Sequence, residues 1–175
     1  MSKLIALLAV SILFTSTGFA QTSGSPQGWD DLQFMMGEWV GEGSGSPGEG
    51  AGGFTFASDL QGKILVRKNY AVYPKTADRP AFRHDDLMIV YREQSGTTKA
   101  IYFDNEGHVI PYAVSGEKGK SAVFVSDSNT AGPRFRLTYT SPAPDSLRIQ
   151  FDIAPPGKPN AFSPYITARA HRKDR

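Results

Sequence analysis

The sequence predicts an all-β fold, an antiparallel up-and-down barrel of about ten strands preceded by one short N-terminal helix. Three observations lead to this prediction. From residue 37 onward, short runs rich in Val, Ile, Tyr and Phe recur between clusters of Gly, Pro, Asn, Asp and Ser. The later runs alternate apolar and polar residues with period two. The 175 residues contain neither an internal repeat nor a dividing linker, so a single domain is expected.

The first 20 residues have the pattern of a secretory signal peptide. Lys3 gives a positive start, Leu4 to Phe14 form an apolar run too short to span a membrane, and Gly18 to Ala20 place small residues before cleavage at Gln21. An uncleaved anchor is the alternative. We therefore expect a periplasmic or secreted protein without a stable membrane anchor. It would have a signal peptide over 1–20, a flexible leader over 21–28 and a barrel domain over 29–172.

The composition excludes several classes of function. Lys and Arg number 19 against 17 Asp and Glu, a balance that predicts no binding to nucleic acid or to acidic membrane surfaces. Cysteine is absent, which rules out disulfides, thiolate metal ligands and thiol nucleophiles. The fold must therefore be stabilised by burial of its core alone.

The first element is a predicted helix from Trp29 to Met36, with Asp30 or Asp31 near its start and Gly37 at its end. Ten predicted strands follow it. They span Glu38–Ser44, Gly53–Asp59, Lys63–Tyr73, Asp85–Glu93, Thr98–Asp104, His108–Ser115, Ser121–Ser126, Arg134–Thr140, Leu147–Ala154 and Tyr165–His171. Consecutive short strands favour a meander, and closure into a barrel removes its exposed edges. A two-sheet sandwich is the alternative.

The lengths of the predicted loops differ between the two ends of such a barrel. The loops after strands two, four, six and eight are short, whereas most of those after strands one, three, seven and nine are longer. Binding residues often lie on loops above a rigid scaffold, so the end with long loops is the predicted mouth. The glycine-rich stretch Gly41 to Gly53 lacks the Lys-Ser or Lys-Thr ending of a phosphate-binding loop, and we expect a flexible loop or lid there.

A short motif carries a resemblance to a known superfamily. The segment Gly37-Glu38-Trp39-Val40-Gly41-Glu42-Gly43 resembles the Gly-x-Trp opening of calycin barrels, the lipocalin-type superfamily. Read as Leu-x-x-Met-x-Gly-x-Trp-x-Gly-x-Gly, the longer pattern is similar to small exported bacterial domains of unknown function and, more distantly, to nitrobindin. The ending Phe151 to Arg172 resembles the last hairpin of that group. The resemblance spans residues 29–172.

The resemblance implies a barrel that binds a small apolar molecule in its interior. Nitrobindin binds haem through a histidine on its last hairpin, but Tyr165 or Ile166 falls at that place here and His171 lies farther along. We therefore expect no cofactor, haem included. Such barrels often cover the tryptophan with an arginine of the last strand. Trp39 is thus expected to be structural, with Arg169 as its partner and Arg172 as the second candidate.

Two histidines and four acidic residues gather at the mouth if strands four and five pair with Glu93 opposite Thr98. They are His84, Asp85, Asp86, Asp104, Glu106 and His108. In this register, one face carries Asp85, Asp104, Glu106, His108, Tyr91 and Tyr102, and the other carries His84, Asp86, Met88 and Phe103.

Imidazoles and carboxylates can act as an acid–base pair or bind a divalent metal. The candidate catalytic residues are His108, Asp104 and Asp85, and the candidate metal ligands are His84, His108, Asp86 and Glu106. Solvated turn residues are the alternative, and by default no metal is expected.

Tyrosines on the strands are the candidate contacts for a ligand inside the barrel. A buried tyrosine offers an apolar ring and one hydrogen bond, which suits a small amphipathic molecule. The candidate set is Tyr70, Tyr91, Tyr102, Tyr112 and Arg136, and rings that merely fill the core are the alternative. The leading hypothesis is therefore an exported lipocalin-like binding protein for a small apolar or amphipathic molecule. A metal-assisted hydrolase or isomerase at the mouth is the second, and an interaction protein that dimerises through its outer strand faces is the third.

Overall fold

The chain forms a closed barrel of ten antiparallel strands, as predicted. The computed structural model describes residues 28–127 and 132–173. Each strand pairs with its neighbours in sequence, and β1 pairs with β10 to close the barrel. The strands are β1 (Gly37–Gly45), β2 (Gly50–Asp59), β3 (Ile64–Tyr73), β4 (Phe82–Arg92), β5 (Thr98–Asp104), β6 (Val109–Glu117), β7 (Ser121–Ser126), β8 (Arg134–Ala143), β9 (Ser146–Ala154) and β10 (Ser163–Arg172).

Side-chain alternation sets which residues face the interior. On β8, Leu137 and Tyr139 are buried, while the alternating residues Arg136 and Thr138 lie on the outer face. Because a closed barrel has only one interior, the same parity must hold around all ten strands. Wherever this parity places a polar residue inside, that residue is a candidate for function.

The N-terminal segment closes one end of the barrel as an irregular plug, and the predicted helix over 29–36 was wrong in type. Its only helical part is the 3₁₀ turn Gln33–Met35. Trp29, Leu32 and Met35 are almost fully buried beneath the barrel, and backbone bonds join Leu32 N to Trp29 O and Met35 N to Leu32 O. Trp29, Leu32 and Met35 are three residues apart, which is the repeat of a 3₁₀ helix. Their side chains therefore lie on one side of the segment and are buried together.

The plug and an aromatic cluster fill the lower half of the barrel. The indole nitrogen of Trp39 donates to Met35 O at 2.9 Å, which joins β1 to the plug. The ring centroid of Phe54 lies 6.1 Å from that of Trp39 and 5.8 Å from that of Tyr139. Phe56 also packs edge-on against Tyr139, with centroids 5.8 Å apart. The core therefore occupies the closed end and leaves the other end open for a cavity.

The two longest connections within the described residues, 74–81 and 155–162, lie at the open end. This agrees with the predicted position of the mouth. The glycine-rich stretch was expected to be a flexible loop, but most of it is strand. β1 extends to Gly45 and β2 begins at Gly50, so only residues 46–49 connect them.

Glycines let β1 and β2 approach their neighbours closely. Gly41 pairs with Gly52 and Gly43 with Gly50. A Cβ on Gly41 would lie 2.7 Å from the carbonyl oxygen of Arg169, and one on Gly43 would lie 2.8 Å from the Cβ of Ala168. The glycines are therefore needed for strand packing at this corner.

The predicted signal peptide and residues 21–27 of the predicted leader lie outside the described residues. In residues 28–127 and 132–173, no helix is long and apolar enough to cross a membrane.

Candidate functional site

The upper half of the barrel encloses a cavity of about 850 Å³. Its walls reach from Tyr139, at the top of the aromatic cluster, to Pro47 and Arg79 in the loops at the mouth. One wall is polar and is formed by β3, β4 and β5. The opposite wall is apolar and is formed by β8, β9 and β10.

The polar wall is built around a buried ion pair between β3 and β4. Arg67 Nη2 lies 3.0 Å from Asp86 Oδ1 and 3.1 Å from Oδ2, and the two side chains are only 7% and 2% exposed. Asn69 donates to Asp86 Oδ2 at 2.7 Å. Burial alone would raise the pKa of Asp86, but Arg67 and the hydrogen bonds from His84 and Asn69 hold that pKa below its usual value. Asp86 is therefore a carboxylate, and Arg67 keeps its charge inside the barrel.

His84 links this ion pair to the mouth. Its Nδ1 lies 2.9 Å from Glu106 Oε1, and its Nε2 lies 2.9 Å from the Tyr102 hydroxyl and 3.4 Å from Asp86 Oδ2. The hydrogen bond with Asp86 raises the pKa of His84 to about 9, against the opposing effect of burial and with further help from Glu106. At neutral pH His84 is thus a cation that donates from both ring nitrogens.

Tyr102 and Asp104 continue the network to the rim. Burial and the nearby carboxylates of Asp86 and Asp104 raise the pKa of Tyr102, so its hydroxyl stays protonated and donates to Asp104 Oδ2 at 3.2 Å. The same carboxylate oxygen lies 2.8 Å from His108 Nδ1, and Oδ1 accepts the backbone N–H groups of Glu106 and His108. Burial opposes the ionisation of Asp104, yet the bonds from His108 lower its pKa overall. The network therefore has one consistent arrangement of protons.

The apolar wall faces this network. The rings of Phe135 and Phe151 are stacked with centroids 5.8 Å apart, and Tyr165 packs edge-on against Phe151 at 6.1 Å. Ile149 and Ile166 complete the wall. At the mouth, the Tyr73 and Phe82 rings are stacked at 4.5 Å, and the Arg79 guanidinium lies 4.5 Å from the centroid of Phe82. The cavity can thus accept an apolar body on one side and polar groups on the other.

The predicted register between strands four and five was wrong by one residue. Asp86 pairs with Asp104 and Arg92 with Thr98. Gly96, with φ of 86°, closes a shorter turn in which Glu93 N donates to Thr97 O. The shift changes which residues share a face. His84, Asp86 and Met88 lie inside with Tyr102 and Asp104, whereas Asp85, Tyr91 and Phe103 lie outside.

One candidate of this cluster, Asp85, consequently has different surroundings from those predicted. Asp85 lies on the outer face, where Arg83 donates to both of its carboxylate oxygens at 2.9 and 2.8 Å. Glu106 and His108 lie at the rim and are mostly exposed. Within the described residues, no group of three or more His, Asp or Glu side chains is arranged to hold a metal ion. The carboxylates bind histidine, arginine and backbone N–H groups instead.

The candidate ligand-contact residues divide between the two faces. Tyr102 and Tyr112 line the cavity. Tyr70 touches its edge, but the ring is 40% exposed and lies 4.5 Å beneath the Arg83 guanidinium on the outer wall. Tyr91 faces outward opposite Lys99. Arg136 is also on the outer wall, because Leu137 and Tyr139 occupy the inner face of β8.

Arg136 has a structural environment of its own. Its Nε donates to Asp152 Oδ2 at 2.8 Å, and its guanidinium lies 4.4 Å from the ring centroid of Phe162. Phe162 belongs to the loop between β9 and β10. Arg136 therefore fixes that loop to the outside of the barrel and does not reach the cavity.

Trp39 has its arginine partner at the closed end, but that partner is Arg172 and not the first candidate Arg169. The Arg172 guanidinium lies 4.5 Å from the indole centroid and donates to Met36 O at 2.6 Å. Arg169 is exposed on the outer face opposite Glu42. The difference follows from parity, since Ala170 and Arg172 share the inner face of β10.

The last hairpin offers no imidazole to the cavity. Tyr165 and Ile166, the two positions at which the resemblance to nitrobindin would put a histidine, both line the cavity, while His171 is exposed on the outer face. Among the described residues of this hairpin, none therefore places an imidazole in the cavity.

The candidate residues predicted from the sequence do not include three that line the cavity, Arg67, Asn69 and Arg79. Arg67 and Asn69 are in phase with Leu65, which is a signal for an inward-facing polar pair. That signal is ambiguous because the opposite phase of β3 contains Lys68 among apolar residues. Arg79 lies in a loop, where no periodicity applies.

Comparison with curated protein-family models and with curated protein sequences finds no match. Among solved structures, the crystal structure of Rv2717c from M. tuberculosis is similar, with 16% identity and a TM-score of 0.59 over 83% of this chain and 97% of that chain. A de novo designed fluorescence-activating β-barrel has 12% identity and a TM-score of 0.43 over 82% of this chain and 98% of its own. EF1p2_mFAP2b bound to DFHBI has 10% identity and a TM-score of 0.41 over 82% and 98%, respectively. The likeness to Rv2717c shows the fold alone.

Proposed function

We propose that this chain is an exported, calycin-like barrel that binds a small apolar or amphipathic molecule in the cavity at its mouth. The observation that carries this proposal is the cavity of about 850 Å³, with a polar wall on β3–β5 facing an apolar wall on β8–β10. Sites for small molecules in proteins are typically concave, mostly apolar and of this size, with a few fixed polar groups.

The two walls have different roles in such binding. Burial of about 200 Å² of apolar ligand surface contributes about 5 kcal/mol, before the cost of association is subtracted. The polar wall adds less to this driving force, because the net contribution of a hydrogen bond is only about 0.5–1.5 kcal/mol. It selects the ligand instead, since an incoming molecule must place polar groups where Tyr102 and Tyr112 line the cavity.

Export and the absence of a cofactor are part of the proposal. The signal sequence over 1–20 supports export, and mass measurement of the mature chain tests it, with Gln21 expected as the first residue. The lack of an imidazole on the inner face of the last hairpin supports a haem-free protein. The purified protein is expected to be colourless, and a Soret band after haem titration would contradict this part.

The binding proposal is tested by filling the cavity from its apolar wall. Ala168 lies on the inner face of β10 opposite Ile149, and the adjacent Thr167 is exposed on the outer face. We expect Ala168→Trp to abolish the binding of Nile red, followed by fluorescence, while Thr167→Trp leaves its affinity within about twofold.

Two further measurements keep this test decisive. Ile149→Trp fills the same space from β9, in case Ala168→Trp does not fold, and circular dichroism checks each variant. Native mass spectrometry of the wild-type protein is expected to show a co-purified small molecule that the filled variant lacks. Equal dye binding by the filled and control variants would refute binding in the cavity.

A further inference from the structure

The buried side-chain polar atoms that lack hydrogen-bond partners all belong to residues that line the cavity. Among side chains of the described residues, they are Arg67 Nε, Arg67 Nη1, Arg79 Nε and Asp86 Oδ1. Asp86 Oδ1 lies 3.0 Å from Arg67 Nη2, so the positive charge of Arg67 compensates the burial of this carboxylate oxygen. Three guanidinium nitrogens are left without an acceptor, and both arginines line the same cavity.

Arg67 is the better defined of the two arginines. It is 6% exposed, and only its Nη2 has a partner, the carboxylate of Asp86. A buried donor without an acceptor costs roughly 1–3 kcal/mol, and native structures contain few of them. The Tyr139 ring lies on one side of this group, with its centroid 6.0 Å from the guanidinium carbon. An acceptor supplied by a ligand would offset this cost.

The carboxylates of the wall already have partners without a ligand, including Asp104, which lies 2.8 Å from His108 Nδ1. Asp86 compensates Arg67, and Glu106 lies 2.9 Å from the His84 imidazole. A carboxylate added beside Asp86 would lie close to a like charge in a poorly hydrated space, which is unfavourable. A neutral acceptor meets the need of the free guanidinium donors without that repulsion.

We propose that the ligand is a carbonyl-bearing amphipathic molecule whose carbonyl oxygen accepts a hydrogen bond from Arg67, while its apolar body packs against Phe135 and Phe151. This inference rests on the proposed binding function and specifies its ligand class. Arg67 is then the residue that determines specificity, and the rings of β8 and β9 supply most of the affinity.

The test uses two fluorescent naphthalenes that differ in one carbonyl group. They are 6-propionyl-2-(dimethylamino)naphthalene and 2-(dimethylamino)naphthalene. Arg67→Lys keeps a cation beside Asp86 but removes the planar donors. Arg136→Lys is the matched control, because Arg136 makes the equivalent pair with Asp152 on the outer wall. We expect Arg67→Lys to weaken binding of the ketone by about 10- to 100-fold and that of the parent naphthalene by at most about twofold.

A lysine at position 67 could still donate a hydrogen bond to the ketone, so a second variant removes every donor there. The double substitution Arg67→Met with Asp86→Asn leaves this part of the wall uncharged, and the same selective loss of ketone affinity is expected. Emission of the bound ketone should also shift to the blue in both variants, because a hydrogen bond to its carbonyl is lost. The control Arg136→Lys should change neither affinity nor emission.

The outcomes separate this inference from the proposed function. If both naphthalenes bind the wild-type protein but the Arg67 variants affect them equally, the carbonyl contact is refuted and cavity binding stands. If neither naphthalene binds the wild-type protein and Nile red also fails, the binding function itself is refuted. Tighter binding of 6-(dimethylamino)-2-naphthoate than of the ketone would overturn the preference for a neutral carbonyl.

Discussion

The charge of His84 should make the stability of the barrel depend on pH in the alkaline range. The imidazole contacts the Asp86 carboxylate, the Glu106 carboxylate and the Tyr102 hydroxyl, and it is 21% exposed. These contacts raise its pKa from 6.5 to about 9 in the folded protein. Because the folded pKa is the higher one, the stabilisation is fully present below pH 6.5 and is lost as the pH rises toward and through 9.

The size of the effect follows from the difference between the two pKa values. Each pH unit that separates them is equivalent to 1.36 kcal/mol, so protonated His84 stabilises the fold by about 3 kcal/mol below pH 6. By pH 10 this contribution is close to zero. His84→Gln removes the titrating group and keeps a polar side chain of similar length, so the variant should lack this part of the pH dependence.

Urea denaturation at pH 6, 7.5, 9 and 10 measures the free energy of unfolding of both proteins. The difference between wild type and His84→Gln should shrink by about 3 kcal/mol across this range, and taking the difference removes contributions from other titrating groups. His171→Gln removes an exposed imidazole from the outer face and serves as the control. A difference that stays constant with pH would refute the reasoning, as would an NMR titration that places the pKa of His84 below 7.

Three further predictions concern stability. Arg172→Met should lower the free energy of unfolding by about 2 kcal/mol, since it loses the contact with Trp39 and a hydrogen bond, whereas Arg169→Met on the outer face should change it by less than about 0.5 kcal/mol; thermal denaturation compares the two. Asp86→Ala should cost about 3–5 kcal/mol in urea denaturation because it leaves a buried guanidinium unpaired, and a loss below about 1 kcal/mol would contradict a buried ion pair. Gly41→Ala should cost about 1–3 kcal/mol, because its Cβ would meet a backbone oxygen at 2.7 Å, and an unchanged melting temperature would show that this corner of the barrel can relax.

The strand pattern and the position of the mouth could be predicted because they depend on local features. Alternation over 147–154 fixes which residues of β9 face inward, and runs of Gly, Pro and Asp mark the turns. The loop lengths follow directly from these boundaries. Of the five candidate ligand contacts, however, only Tyr102 and Tyr112 lie on the inner face, because the sequence did not show which face of each strand is turned inward.

The candidate site was predicted less well, because a site depends on register and on which of two mixed faces is turned inward. A turn closed by Gly96 shifts β4 against β5 by one residue, which exchanges Asp85 for Asp86 beside Tyr102. Arg67 lies on a strand with polar residues in both phases, so the sequence does not show that it is inside, whereas the alternation of β8 indicates that Arg136 is outside.

The amino-acid sequence alone therefore determined the class of fold, the number of strands and the end with the mouth, because alternation and turn chemistry act over a few neighbouring residues. Only the tertiary structure decided that the lower half is packed and the upper half hollow, and that Arg67, Asp86 and His84 meet on one wall. The physical reason is closure: pairing β1 with β10 fixes one interior for all ten strands, and no local segment contains that information.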